Sequence, residues 1–304
     1  MGQMGHERRA GFGRQGMRDP AMVIVGAGQS GGRAALTLRD LGYDGRVVLL
    51  GAEPGPPYER PPLSKTYLTG ERSADDFTFA RATALEAAGI EFRSGCVVEA
   101  IDRAHRTVRL QDGERIAYAK LLLATGREPR RLPLDPGIAE RVLYLRDLRD
   151  AVRVRRELRS GARIAIVGGG FIGLEVAASA VTQGCRPVVI ELAPRLLSRA
   201  VPAALAAFLQ ARHATAGIEI LLGARPREIA PRGDRFAVAL DDGRRVEAHA
   251  VVVGIGAIPR TGLAEAAGLA SRAASWSTPP SRPRTRISSP RATSAPFPTP
   301  WPAG

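Results

Sequence analysis

The sequence predicts a two-domain α/β fold in which each domain is built on a mainly parallel sheet. Two observations carry that expectation. One strand–glycine turn–helix–strand unit occurs twice in the 304-residue chain, over residues 22–50 and again over 161–192. Each copy is followed by an alternating, hairpin-forming stretch that ends in an apolar strand and a glycine.

The elements follow in order. "AMVIVGAG" is an apolar run that stops at glycines, as a buried strand entering a tight turn does. "SGGRAALTLRDLGY" has helical spacing, and "GRVVLLG" is a second buried strand. "EFRSGCVVEAIDRAHRTVRLQDGERIAYAKLLLATG" then alternates apolar and polar residues, turns at Asp112-Gly113 and ends in an apolar strand. "RRLPLDP" is a proline-rich crossover. The second copy reads "ARIAIVGGG", "FIGLEVAASAVTQG" and "RPVVIEL". Its alternating stretch, "IEILLGARPREIAPRGDRFAVALDDGRRVEAHAVVVGIG", turns at Asp242-Gly243.

The glycine turns give the two units a chemistry. In Gly26-Ala27-Gly28-Gln29-Ser30-Gly31 the first glycine permits the tight turn. The second lets the backbone approach a pyrophosphate, and the third lets the helix pack closely on the strand. The helix N-terminus then offers free N–H groups to phosphate. Gly168-Gly169-Gly170-Phe171-Ile172-Gly173 repeats the pattern. An acid follows the second strand of each unit, at Glu53 and at Glu191. These are the marks of two Rossmann-like dinucleotide-binding domains. A carboxylate at Glu191 accepts from both ribose hydroxyls and repels a 2′-phosphate, which favours NADH over NADPH. The arginines of "LAPRLLSR" argue the other way. Two dinucleotide sites in one chain imply hydride passing between a nicotinamide and a flavin, because that transfer needs no protein nucleophile.

Composition excludes several other classes. The formal charge is +14, carried almost wholly by arginine, since Lys65 and Lys120 are the only lysines. No basic helix and no aromatic–basic interleaving accompanies that charge, so no nucleic-acid partner is expected. No apolar run reaches the length of a membrane span, and the basic N-terminus lacks the apolar stretch of a signal peptide, so a cytoplasmic location without membrane attachment is expected. Met17 and Met22 are alternative starts. Cys96 and Cys185 form no C-x-x-C and read as buried packing residues. His6, His105, His213 and His249 show no ligand spacing and read as surface or loop residues, so no metal is expected.

At "PYERPPLSK", residues 57–65, the chain resembles a family. Together with "VIVGAGQSGGRAA", "LLLATG", "IVGGGFIGLEVA" and "VVVGIGAIPRTGLAEAAGL", in that order, it is similar to the FAD-dependent NADH:ferredoxin reductases. These include putidaredoxin and rubredoxin reductases and the reductase components of dioxygenases, with apoptosis-inducing factor as a relative. The resemblance runs from about Met22 to Ala270. It implies a glutathione-reductase-like pair of FAD- and NAD(P)-binding domains, the cofactors FAD and NADH, and a small iron–sulfur electron-transfer partner, a ferredoxin or rubredoxin. Gly26, Ala27, Gly28, Ser30 and Gly31 would hold the FAD pyrophosphate, and Glu53 or its neighbourhood the adenosine ribose. Arg60 and Lys65 would approach the flavin, Val98 would touch the adenine, and Thr125, Gly126 and Arg130 would line the FAD site. Gly168, Gly170, Phe171, Ile172, Gly173 and Glu191 would hold NADH, with Gly256 closing over its nicotinamide half. Lys65 and Glu175 would pair beside the flavin near the hydride path. A solvated surface charge at Lys65 and a helix-dipole complement at Glu175, on the first turn of its helix, are the plainer alternatives.

These expectations divide the chain into a disordered basic extension at 1–20, the first part of an FAD-binding domain at 21–134, an NAD-binding domain at 135–258, a return to the FAD domain at 259–270 and a disordered tail at 271–304. The tail lacks the family's flavin-binding Gly-Asp motif and its further C-terminal α/β domain. Read one nucleotide earlier, with free synonymous codons, residues 283–304 can become "ADPDIFAAGDVCAFPHPLAG". The tail is therefore expected to be an out-of-frame translation and the flavin weakly held. Two other functions stand beside the reductase: a non-catalytic or NADH-sensing nucleotide-binding remnant, and an NADH oxidase or nitrite-reductase flavin subunit.

Overall fold

The computed structural model describes residues 20–269. The expectations for the N-terminal extension, His6 and the tail lie outside the described residues. The chain forms two compact units. Of the described residues, the first takes 20–55, Ala82–Ala124 and 261–269; the second takes Pro56–Arg81 and Thr125–Arg260.

In the first unit, β1 (Ala21–Val25), β2 (Val47–Gly51) and β3 (Ile90–Ser94) run parallel, followed in sequence by β4 (Val98–Asp102), β5 (Thr107–Leu110) and β6 (Arg115–Leu123). The sheet order is β3-β2-β1-β6-β5-β4. Every residue of β2 is buried, as both faces of a parallel strand tend to be, and its composition, Val-Val-Leu-Leu-Gly, suits that place. Strand β6 serves two partners: it is antiparallel to β5 and parallel to β1, pairing Leu121, Leu122 and Leu123 with Val23, Ile24 and Val25. The β5–β6 turn falls where Asp112-Gly113 predicts it, with Gly113 at φ 90°. The core gathers Val23, Val25, Val48, Leu50, Val108, Leu110 and Ile116. Arg39, at the end of the helix Gln29–Asp40, closes this unit's loops. Its guanidinium donates to the carbonyls of Ala88, Gly89, Tyr43 and Gly45 at 2.9, 2.7, 2.5 and 2.9 Å.

The second unit holds β7 (Arg127–Pro129), β8 (Leu143–Tyr144), β9 (Arg163–Val167), β10 (Arg186–Glu191), β11 (Glu219–Leu222), β12 (Pro226–Arg232), β13 (Arg235–Leu240), β14 (Arg245–Ala248), β15 (Ala250–Val253) and β16 (Ala257–Pro259). A five-stranded parallel sheet has the order β11-β10-β9-β15-β8. Strands β12, β13 and β14 form a separate antiparallel sheet, and β16 pairs with β7 in a short antiparallel ribbon. Successive residues of a strand point to opposite faces. Accordingly Ile164, Ile166, Val189 and Val252 enter one core, and Ala165, Val167, Val188 and Val251 enter another. The first core is closed by Leu174, Val176 and Ala177 of the helix Phe171–Thr182 and by Tyr58, Tyr67, Leu68 and Phe77. The second is closed by Ile229, Phe236, Val238 and Val246 of the antiparallel sheet. Pro56–Arg81 thus belongs to this unit because its aromatics fill the first core, with Tyr58 and Tyr67 set edge-on to Phe77 at centroid distances of 6.1 and 5.9 Å.

Among the described residues no helix is long and apolar enough to cross a membrane. Two expectations are corrected. Cys96 packs against the first unit's core but is only half-buried, whereas Cys185 is buried, with burial pushing its pKa up. His213 lies in the helix Ala203–Thr215, not in a loop, and burial lowers its pKa.

Candidate functional site

Both glycine turns adopt one geometry. Gly26 has φ 111° and Gly168 φ 112°, a region L side chains rarely enter. Gly26 N–H donates to the Leu50 carbonyl, and Gly168 N–H to that of Ile190, each at 2.8 Å. The third glycine of each motif packs its helix onto the turn. A Cβ at Gly31 would lie 1.8 Å from the Gly26 carbonyl oxygen, and one at Gly173 2.1 Å from that of Gly168. The two helices start at Gln29 and Phe171 after the N-caps Gly28 and Gly170, neither of which supplies a side-chain cap. Neither helix has an acid in its first turn, so no carboxylate of its own offsets the positive end of either. Ala27 is half-buried within its turn and Ser30 is exposed on the first turn of its helix.

The matching hydrogen bonds also align the strands that follow. Leu50 corresponds to Ile190, so the counterpart of Glu191 is Gly51, and Glu53 lies two residues beyond it. A Cβ at Gly51 would meet the Ala27 Cβ at 2.7 Å. At the equivalent place in the second unit the Glu191 carboxylate reaches the turn itself. Its Oε2 accepts from Gly169 N–H at 2.6 Å and its Oε1 from Ala193 N–H at 2.7 Å. Glu53 is half-buried, and its carbonyl accepts from Gly95 N–H at 3.3 Å. Val98 opens β4 opposite Leu110.

In the second unit a cavity of about 990 Å³ opens on the glycine turn. Gly168, Gly169 and Gly170 form its floor with Glu191, and Phe171 and Ile172 stand at its edge, 57% and 47% exposed. Large apolar side chains this open beside a cavity mark a surface built to be covered. Leu192, 64% exposed, joins them on the same wall and was not singled out from the sequence. Arg199, Arg225 and Arg227 share the wall with Glu191, Glu228 and Asp241.

Four of the expected site residues flank the β7–β16 ribbon, Thr125 and Gly126 at one end and Arg130 and Gly256 at the other. Thr125 Oγ1 donates to the Arg260 carbonyl at 2.8 Å, Arg260 N–H donates to the Gly126 carbonyl at 3.0 Å, and Arg130 N–H donates to the Gly256 carbonyl at 2.9 Å. Gly126 and Gly256 both have positive φ, 73° and 111°. Arg60 stacks over the Tyr58 ring at 4.6 Å and donates to Tyr58 Oη at 2.6 Å and to the Arg146 carbonyl at 3.1 Å. Arg146 N–H in turn reaches Asp150, whose carboxyl is pushed up by burial and by the nearby Asp147 charge.

Lys65 and Glu175 are brought together. Lys65 Nζ lies 2.8 Å from Glu175 Oε2, and the same oxygen accepts from Ser64 Oγ at 2.5 Å. Glu175 is the fifth residue of its helix and lies beyond the first turn, so the helix-dipole alternative does not hold. Spacing explains the contact. Glu175, Ser179 and Gln183 recur every four residues and share one helix face. All three hold the segment that carries Lys65: Ser179 Oγ donates to the Ser64 carbonyl and Gln183 Nε2 to the Thr69 carbonyl, both at 2.8 Å. The spacing was available in the sequence; what lay opposite that face was not.

Residues 20–277 match the family model described as pyridine nucleotide-disulphide oxidoreductase. The chain is 45% identical over 263 residues to terpredoxin reductase of Pseudomonas sp, covering 84% of this chain and 62% of that protein. It is 41% identical over 250 residues to rubredoxin-NAD(+) reductase of Pseudomonas putida, covering 82% of this chain and 65% of the relative. The reductase in a crystal structure of the covalent putidaredoxin reductase–putidaredoxin complex superposes with a TM-score of 0.80 at 37% identity, over 84% of this chain and 62% of that one. The chain therefore spans less than two thirds of the length of each of these relatives. On the extent of the family match and the duplicated turn geometry, the chain belongs to the pyridine nucleotide-disulphide oxidoreductase family.

Proposed function

We propose that this chain is a flavin-dependent oxidoreductase of the ferredoxin-reductase type, taking FAD on the first unit's glycine turn and NADH in the second unit's cavity. The observation that carries the reading is the repetition, once in each unit, of one glycine turn with positive φ at its first glycine, leading into a helix with no side-chain cap and no acid in its first turn. The residues fit the groups assigned to them. A pyrophosphate needs close backbone approach and the positive end of a helix, and each turn sets glycines at a helix start that has no side-chain cap. The cavity of about 990 Å³ has the size of a cofactor site.

When bound, the flavin accepts a hydride from the nicotinamide and returns its two electrons singly to an iron–sulfur protein. The chain's own residues bind and orient. Gly168, Gly170 and Gly173 shape the seat for the NADH pyrophosphate. Phe171 and Ile172 cover the dinucleotide, and Gly256 leaves room beside its nicotinamide half. Glu191, already aligned by Gly169 and Ala193, turns its remaining lone pairs to the ribose hydroxyls and disfavours a 2′-phosphate. Gly26, Ala27, Gly28, Ser30 and Gly31 hold the FAD pyrophosphate, with Glu53 on the ribose side and Val98 on the adenine side. Thr125, Gly126, Arg130 and Arg60 complete the flavin contacts, and Lys65 with Glu175 serves the hydride step. The partner is a ferredoxin or rubredoxin, a reading supported by the similarity to rubredoxin-NAD(+) reductase and to the reductase bound to putidaredoxin, and the setting is the cytoplasm.

The test is NADH-dependent reduction of a purified ferredoxin or rubredoxin by the purified chain supplied with FAD. Turnover that requires both FAD and the iron–sulfur protein supports the reading. Turnover with dioxygen alone supports an oxidase, and no turnover with either, with NADH still bound, supports a nucleotide-binding remnant.

A further inference from the structure

We propose that Ser64 and Ser179 are positioning residues that fix the geometry of the Lys65–Glu175 pair. The inference deepens the function proposed above, which assigns that pair to the hydride step, but its test requires neither cofactor.

Among the described residues Ser64 and Ser179 are the buried polar side chains, 6% and 4% exposed. Each has a buried apolar neighbour in sequence that belongs to the second unit's first core, Leu63 for Ser64 and Ala180 for Ser179. Burying a hydroxyl costs free energy unless it is hydrogen-bonded. An alanine would occupy nearly the same space without that cost, so packing alone does not account for either serine. What both hydroxyls do is bond toward one place. Ser179 Oγ donates to the Ser64 carbonyl at 2.8 Å, which fixes the backbone of the turn Pro61–Ser64. Ser64 Oγ donates to Glu175 Oε2 at 2.5 Å. Lys65 Nζ meets that same oxygen at 2.8 Å and also the Pro61 carbonyl at 3.3 Å.

The ion pair alone would not hold this arrangement. The side chains of Lys65 and Glu175 are 48% and 30% exposed, and pairs this open to water are weak and conformationally loose. The serine bond changes that. It is charge-assisted, it comes from the buried side, and its donor is anchored on the helix that carries Glu175. The order of support is therefore Ser179 to Ser64, Ser64 to Glu175, and Glu175 to Lys65.

The scarcity of lysine gives a direct readout. Lys65 and Lys120 are the only lysines, and Lys120 is exposed on β6 in the first unit. Limited acetylation of the full chain with acetic anhydride, quantified peptide by peptide by mass spectrometry, reports the ratio of Lys65 to Lys120 labelling. In Ser64→Ala the ratio is expected to rise about threefold or more, the population shift that loss of one such bond produces. Ser64→Thr, which keeps the hydroxyl, is expected to stay near the parent ratio. Ser179→Ala, which removes only the outer support, is expected to raise it by less. A parent-like ratio in Ser64→Ala overturns the proposal, and so does a rise shared equally by both lysines, which would report general loosening. An unmoved ratio in Ser179→Ala removes Ser179 from the assignment.

Discussion

Lys65 Nζ and Glu175 Oε2 stand 2.8 Å apart, and the carboxylate that holds the ammonium sits on the helix that opens at the second glycine turn. Glu175→Gln keeps the size of the side chain and an acceptor for Ser64 but takes away the charge that holds Lys65. The expected outcome is a reduction of bound flavin by NADH about tenfold slower or more, with little change in NADH affinity, because the loss falls on positioning rather than binding. Stopped-flow single-turnover measurements over a range of NADH concentrations separate the two; an unchanged limiting rate would remove the pair from the hydride step.

The glycine turns predict separable defects. Gly31→Ala puts a methyl carbon against the Gly26 carbonyl and Gly173→Ala puts one against that of Gly168, each displacing a helix from its strand. Each change is expected to cost about 1–3 kcal/mol of stability, as overpacking does. Calorimetry should show FAD binding lost and NADH binding kept in the first variant, and the reverse in the second.

Glu191 joins structure to specificity. Glu191→Ala is expected to narrow the preference for NADH over NADPH by about tenfold, the value of a hydrogen bond to a charged group. It also leaves Gly169 N–H and Ala193 N–H without their partner. A lower melting temperature should therefore accompany the change in the ratio of kcat/KM values. A preference for NADH that survives intact would place discrimination elsewhere on the wall.

Arg39 is the closure of the first unit. One guanidinium serves four carbonyls from two loops, which an ammonium on a lysine stem cannot do. Arg39→Lys is expected to cost about 1–3 kcal/mol, measured as a lower urea midpoint, because carbonyls lose their donor.

Glu91 gives a pH dependence of known sign. Burial pushes its carboxyl up, but the hydrogen bonds and charges of Arg46 and Arg93 outweigh burial and hold it below its ordinary value of 4.5. A folded-state value below the unfolded one means stability that is fully present above about 4.5 and is lost as pH falls through the folded-state value. Urea unfolding at pH 7 should separate the parent from Arg93→Ala, and the gap should close in acid. A gap that is constant with pH would mean the arginine acts through packing alone.

Much of this was legible in the sequence, for local reasons. A buried parallel strand ending in glycine, and a hairpin at Asp112-Gly113 or Asp242-Gly243, are written in adjacent residues. Long-range partners are not. Nothing near Tyr58, Tyr67 or Phe77 says that they fill the core beneath the helix Phe171–Thr182, and so Pro56–Arg81 could not be grouped with the second unit from sequence. Glu53 and Glu191 looked equivalent because each follows a second strand; only the Leu50 and Ile190 hydrogen bonds show that Gly51 is the true counterpart of Glu191. Ser64 was in plain view inside "PYERPPLSK" and carried no signal of its own, because its role depends on Glu175 across the fold.

The central claim is that one chain carries hydride from NADH to a flavin. Anaerobic titration of the FAD-loaded chain with NADH, followed by the visible absorbance of the flavin, tests it most directly. The account predicts full bleaching at one equivalent of NADH, with NADPH far less effective. A flavin that stays oxidised while NADH binds would contradict it.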